Sequence, residues 1–167
     1  MTSQRQILIE NYATLAATKE IAYTKKRNLW EREIDQEDFL DIRMGIGSTE
    51  LIGNINCPTE SFSLDSDELL QEVYKINKES RMLENVPVSI SFIEKNISAI
   101  IGTTANKQQF IEGVILQILT YHSYEDLKVV VFTNEKNESN WDFLKVAPHC
   151  WNNEHSVRYF ATNLDEA

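Results

Sequence analysis

The sequence predicts an α/β fold, and three stretches carry that prediction. Between residues 110 and 119 the apolar Phe110, Ile111, Val114, Ile115, Ile118 and Leu119 cover most sides of a helix. The run Val129, Val130, Val131 and Phe132 follows, as suits a strand covered on both faces. Upstream, Val88, Ile90 and Phe92 alternate with Ser89 and Ser91, and a second apolar run, 97–101, leads into Gly102. Before Gly45 there is no Gly or Pro, and apolar residues recur at helical spacing. This order predicts a helical arm, a small β subregion and a parallel βαβ unit.

The elements follow in chain order. Ser3 with Gln6 makes a capping-box start, and Leu8, Tyr12, Leu15 and Ala22 form a stripe, so one long first helix is expected within an arm spanning 1–36. Lys19 falls on that stripe and thins it, which suits either a stalk packed only in part or an ordinary amphipathic helix. Leu40, Ile42 and Met44 alternate with Asp41 and Arg43, giving a strand with one wet face that ends at Gly45 and Gly47. Residues 48–61, with Gly53 and Pro58, read as an irregular stretch or short hairpin at an internal boundary. Asp65 with Glu68 opens a second helix whose buried face is Leu69, Val73, Ile76 and Leu83, and Pro87 stops it. The carboxylates of Asp65, Asp67 and Glu68 offset the dipole of its first turn rather than forming an acid–base pair. A hairpin turning at Glu94, Lys95 and Asn96 then delivers the strand 97–101. A short helix around Trp141, Phe143 and Leu144 and a strand over 157–160 extend the sheet, making 37–167 the α/β body. The sheet lacks a covering helix after that strand, so an excised piece truncated at the C-terminus is expected.

Residues 98–109 have the strand–loop–helix frame of a phosphate-binding loop, with the helix expected to begin near Lys107. The pattern G-x-x-x-x-G-K-[ST] from Gly102 asks for Gly, Lys and Ser or Thr where the chain has Lys107, Gln108 and Gln109. A Cβ at 107 obstructs the wrap of backbone N–H groups around phosphates. A missing Lys at 108 forfeits a charge-assisted bond worth roughly 1.5–3 kcal/mol. Gln109 offers no hydroxyl to Mg²⁺. Gly102, Thr103, Thr104 and Lys107 are therefore the residues of a vestigial nucleotide loop, able at most to hold an anion at a helix N-terminus. No catalytic residue and no resident cofactor is expected.

At 167 residues and 42 % hydrophobic content the chain is one domain's worth. Its net charge of −10, with one short basic cluster at Lys25, Lys26 and Arg27, argues against nucleic-acid binding. That cluster reads as a solvated helix face rather than a contact for anionic lipid. No apolar run reaches membrane-span length, and no signal-peptide pattern occurs. Cys57 and Cys150 are far apart, fitting buried thiols in a reducing compartment. His149, Cys150 and His155 are too few ligands for a metal site.

From Ile100 onward the chain resembles the FtsK/SpoIIIE class of translocation ATPases, whose RecA-like fold the resemblance implies. The likeness rests on Gly102-Thr103-Thr104, the apolar helix, His122-Ser123-x-Glu125-Asp126-Leu127, the strand 129–132, Pro148-His149 and Thr162-x-x-Asp165-Glu166-Ala167. Upstream, Leu29-Trp30-Glu31-Arg32, the stretch from Asp38 through Gly45 to Gly47, and Val86-Pro87-Val88 resemble type VII secretion ATPases of the EssC/YukB/EccC type. In that family such a segment follows the transmembrane helices and precedes the intact ATPase modules, and its own P-loop is typically degenerate. Thr133 departs from the acidic residue that active translocases carry at that position. The resemblance implies a non-catalytic coupling domain at the cytoplasmic face of the bacterial membrane, in a membrane-anchored parent that uses ATP and Mg²⁺. Its partners would be the parent's other domains and secretion-machine membrane components, with a homo-oligomer possible in the full protein. The alternative is a nucleotide-sensing domain that binds ATP weakly without hydrolysis.

Overall fold

A computed structural model describes residues 2–52, 72, 74, 75 and 82–163. Helices and strands are mixed. The order is α1 (Thr2–Asn11), α2 (Leu15–Thr24), β1 (Asp41–Glu50), β2 (Met82–Ser91), α3 (Thr104–Tyr121), β3 (Val131–Phe132), two 3₁₀ segments (Glu135–Val146 and Pro148–Cys150) and β4 (Phe160–Ala161). The chain divides into two compact units. One is Met1–Tyr12 with Gly45–Val88, and the other is Ala13–Met44 with Ser89–Ala167.

The single long first helix is in fact two. Thr14 takes an extended conformation, and its hydroxyl accepts from the Ala17 N–H at 3.3 Å, which starts a new helix. Lys25 closes α2 in the left-handed region at φ 50°. The expected second helix lies largely outside the described residues, although 72, 74 and 75 are helical. Leu83 belongs instead to β2, where it is buried, and Pro87 sits inside that strand rather than stopping a helix. Among the described residues that sheet has two strands, each an edge, where a residue without an N–H is tolerated.

In the first unit, Gln4 ties α1 to the end of β1, accepting from the Ile52 N–H at 3.1 Å and donating to the Glu50 carbonyl. A Cβ on Gly47 would lie 3.2 Å from Val88 Cγ1, so the close approach of β1 and β2 there favours glycine.

The second unit is built around α3, an 18-residue helix. On one side α2 packs against it, with the Thr18 hydroxyl 3.2 Å from the Tyr121 hydroxyl in the core. Elsewhere on α3, Gln117 bonds both backbone groups of Arg43. Ile115 and Leu119 pack on the cluster of Val131, Leu144 and Cys150. β3 and β4 are parallel, with Val131 opposite Phe160 and Phe132 opposite Ala161.

Two strand expectations need correction. Val130 and Phe132 are 54 % and 70 % exposed, so that strand is covered on one face only. Residues 98–101 join no ladder, and the hairpin expected of them is absent. Side chains of that stretch instead line an apolar cavity of about 350 Å³ with Met44, Ile90, Phe92, Phe110 and Val114.

Candidate functional site

The predicted loop residues do lie together, at the N-terminus of α3. Gly102 and Thr103 are exposed, Lys107 is half-buried, and the Lys107 stem folds back so that its Cγ lies 3.5 Å from where a Gly102 Cβ would stand. The helix begins at Thr104, three residues earlier than expected, and the Lys107 N–H already bonds the Thr103 carbonyl at 2.9 Å. Thr103 is the N-cap, but its hydroxyl makes no capping bond. Gln108 reaches sideways to Glu112 and to the Asn140 carbonyl.

A second constellation lies at the other end of α3, about 27 Å away at 1.5 Å per residue. It gathers several residues on which the family resemblance rests. A helix end leaves its last carbonyls without intrahelical partners, and here each of them is met. The Ile118 carbonyl accepts from the His122 N–H and lies 3.0 Å from His122 Nδ1. That of Leu119 accepts from Trp30 Nε1 at 3.2 Å, and that of Thr120 from the Trp30 N–H at 2.8 Å. Those of Tyr121 and His122 accept from the Arg32 N–H at 2.9 Å and from His149 Nε2 at 2.8 Å.

Residues 29–41 thus form a strap over the end of α3, anchored by side chains that sequence reasoning quoted without giving them a role. Trp30 and Leu40 adopt positive φ, 58° and 56°, to make its corners. Arg32 is buried against the Tyr121 ring, 5.0 Å from its centroid. Its guanidinium donates to the Asp41 carbonyl and pairs with the Asp38 carboxylate at 3.2 Å. The Phe39 ring meets the His122 ring edge-on at 5.1 Å, and Trp30 meets Tyr124 in the same way at 5.4 Å.

His122 is fully buried, and its tautomer follows from its partners. The Leu40 N–H donates to Nε2 at 2.9 Å, so Nε2 must be bare and Nδ1 carries the proton toward Ile118. Burial holds its pKa below the usual histidine value. Burial likewise lowers that of His149, whose Nδ1 has no partner among the described residues. Both rings are therefore neutral near pH 7.

The remaining candidates separate. Cys150 is buried in the core, and burial raises its pKa. His155 lies in an exposed turn beside the Trp151 ring, and Cys57 lies outside the described residues. Among the described residues no three metal-ligating side chains are gathered, and no helix is long and apolar enough to cross a membrane. Gln117 was missed by sequence reasoning. Its signal is a polar residue in register with Val114 and Tyr121 on the buried face of α3.

No family model matches the chain. It is 27 % identical over 161 residues to the type VII secretion system protein EssC of Staphylococcus aureus, covering 96 % of this chain and 11 % of that protein. It is 24 % identical over 147 residues to the ESX secretion system protein EccC of Geobacillus thermodenitrificans, covering 87 % of this chain and 10 % of that protein. The chain thus spans about a tenth of the length of the curated relatives it matches.

Proposed function

We propose that this chain is a non-catalytic coupling domain of a type VII secretion ATPase, linking the membrane-proximal part of its parent to downstream motor modules. Similarity to segments of EssC and EccC over most of the chain supports the secretion role. The observation that carries the non-catalytic reading is the start of α3. Lys107, Gln108 and Gln109 occupy the positions of the Gly, Lys and hydroxyl that a nucleotide and its Mg²⁺ require, and they already lie inside the helix. Only Gly102 and Thr103 separate the apolar run 97–101 from the helix, so few backbone N–H groups remain to wrap a phosphate. The residues present do not fit a nucleotide–Mg²⁺ cradle, and no chemical step is assigned to them.

In this reading Gly102, Thr103, Thr104 and Lys107 are vestigial, 1–36 is the arm, and 37–167 is a degenerate P-loop domain acting through contacts. Those contacts are with other domains of the parent and with membrane components of the machine, in an oligomer at the cytoplasmic face of the membrane. Its function is to transmit or restrain motion between neighbours. The test is anisotropy of a fluorescent ATP analogue in Mg²⁺, on the wild type and on the combined variant Lys107→Gly, Gln108→Lys, Gln109→Ser. No saturable binding is expected of the wild type, while the variant gains affinity. Wild-type binding that unlabelled ATP competes away would overturn the coupling reading in favour of a nucleotide sensor, which the uncapped first turn of α3 would serve.

A further inference from the structure

We propose that residues 29–41 are a detachable strap on the C-terminal end of α3, latched by the bond from the Leu40 N–H to His122 Nε2, and that protonation of His122 opens it. This goes beyond the coupling reading and stands without it, because it rests on hydrogen-bond geometry alone.

The latch is directional. His122 bridges two elements through one ring: Nδ1 donates to the Ile118 carbonyl of α3, and Nε2 accepts from the backbone of the strap. The Nδ1 bond survives protonation, since it needs a donor in both states. The Nε2 bond does not. A proton on Nε2 sets an N–H against the Leu40 N–H across a 2.9 Å contact, where neither group can accept. The ring is fully buried, so water cannot replace the lost partner unless the strap moves away.

The surroundings resist a charge at His122 more than they favour one. On the strap, the buried Arg32 guanidinium opposes a second cation, and the Asp38 carboxylate, paired with Arg32 at 3.2 Å, favours it. From β1, Asp41 presents its carbonyl to Arg32 while its carboxylate accepts from the Ser89 hydroxyl at 3.1 Å. From α3 comes the Tyr121 ring beneath Arg32. Beyond the first 3₁₀ segment stands His149, bonded to the His122 carbonyl and with Lys128 opposing its own protonation. The closed strap thus selects neutral His122, whereas the open one exposes a ring free to titrate near 6.5. Opening then grows more favourable by up to tenfold per pH unit below about 6.5, until the closed form also takes up the proton.

What opens is limited to the contacts the strap makes. The N–H groups of Leu40, Trp30 and Arg32 lose their partners together, while Val131 and Thr133, bonded to the Tyr159 and Ala161 carbonyls, keep theirs.

The experiment is amide hydrogen exchange by NMR on the ¹⁵N-labelled chain between pH 7.5 and 5.0, corrected for the pH dependence of intrinsic exchange. Opening at Leu40, Trp30 and Arg32 is expected to rise in step, by up to tenfold per pH unit below about 6.5, while remaining at every pH more frequent than opening at Val131 and Thr133, which exchange only by global unfolding. His122→Gln, whose amide can accept from Leu40 but does not titrate, is expected to abolish the rise. Asp38→Asn removes a carboxylate that favours the charged ring, so the rise should extend further into acid. A flat profile at Leu40 in the wild type overturns the proposal. So does opening at Leu40 that is no more frequent than at Val131 and Thr133, which is global unfolding, or a rise that His122→Gln retains. A rise that levels off at the same pH in Asp38→Asn as in the wild type overturns it as well.

Discussion

Gln117 does for the backbone of β1 what a neighbouring strand would do. Its Oε1 accepts from the Arg43 N–H at 3.1 Å, and its Nε2 donates to the Arg43 carbonyl at 3.0 Å and to the Gly113 carbonyl at 3.2 Å. Gln117→Ala leaves a strand donor and acceptor unmet beside a small void, and one stranded buried group costs about 1–3 kcal/mol. A loss of about 2–4 kcal/mol is expected from urea denaturation at pH 7.5. His122 and His149 make the stability of the fold depend on pH. Both have pKa values lowered by burial, so the unfolded chain binds more protons than the folded one below about 6.5. Their contribution is complete above that pH and declines as pH falls toward the lowered folded values. Urea midpoints should therefore drop between pH 7 and 5.5, with a slope of up to about 1.4 kcal/mol per pH unit for each ring. A midpoint flat over that range would mean that neither ring is held neutral.

At the scale of elements, the break between α1 and α2 is set by one cap. Thr14→Ala removes the bond to the Ala17 N–H and should cost about 1 kcal/mol, read as a lower thermal midpoint. Trp30→Phe keeps an aromatic ring beside Tyr124 but leaves the Leu119 carbonyl without its indole donor, at about 1 kcal/mol. The comparison of sequence with structure turns on the same kind of detail. The body of the helix over 110–119 and a strand within 129–132 were legible, because a dense apolar periodicity followed by a β-branched run has few other solutions. The βαβ unit expected with 97–101 as its first strand does not form, and 131–132 pairs in parallel with 160–161, where only Phe160 of the expected strand 157–160 takes part. Thr14 was overlooked because the stripe of Leu8, Tyr12 and Leu15 runs through it in phase, and periodicity does not reveal a change of helix. Residues 97–101 have strand composition, yet Ile97 and Ile101 stand 94 % and 96 % exposed, and 98–101 border an open apolar cavity instead of joining a ladder. A short apolar run states a wish for burial and leaves its partner unnamed. For the candidate site, the identities of Lys107, Gln108 and Gln109 were legible, whereas the start of α3 at Thr104 was not. Trp30, Arg32 and His122 meet only because tertiary packing brings residues some 90 positions apart onto one helix end.

For the whole chain the question is whether attraction or repulsion dominates its electrostatics. Twenty-six acidic and sixteen basic side chains leave a net charge of −10. Lys26 with Glu20 at 2.6 Å is exposed, and Lys145 meets Glu138 and Asp142 at 2.6 and 2.8 Å, its pKa raised by hydrogen bonds to Asp142 and then Glu138. Exposed pairs of this kind contribute little, with a median of about 0–1 kcal/mol. Self-repulsion acts across the whole surface in the compact state and relaxes when the chain expands. Raising salt from 0.01 to 0.1 M shortens the screening length from about 30 to 10 Å, which weakens distant repulsion more than contacts at 3 Å. The urea midpoint is therefore expected to rise with KCl over that range, and a fall would show that the local pairs outweigh the net charge. The same balance predicts that duplex DNA is not bound even at 0.01 M salt, where counterion release favours any basic surface most strongly. Electrophoretic retardation of DNA by the purified chain at low salt would contradict it.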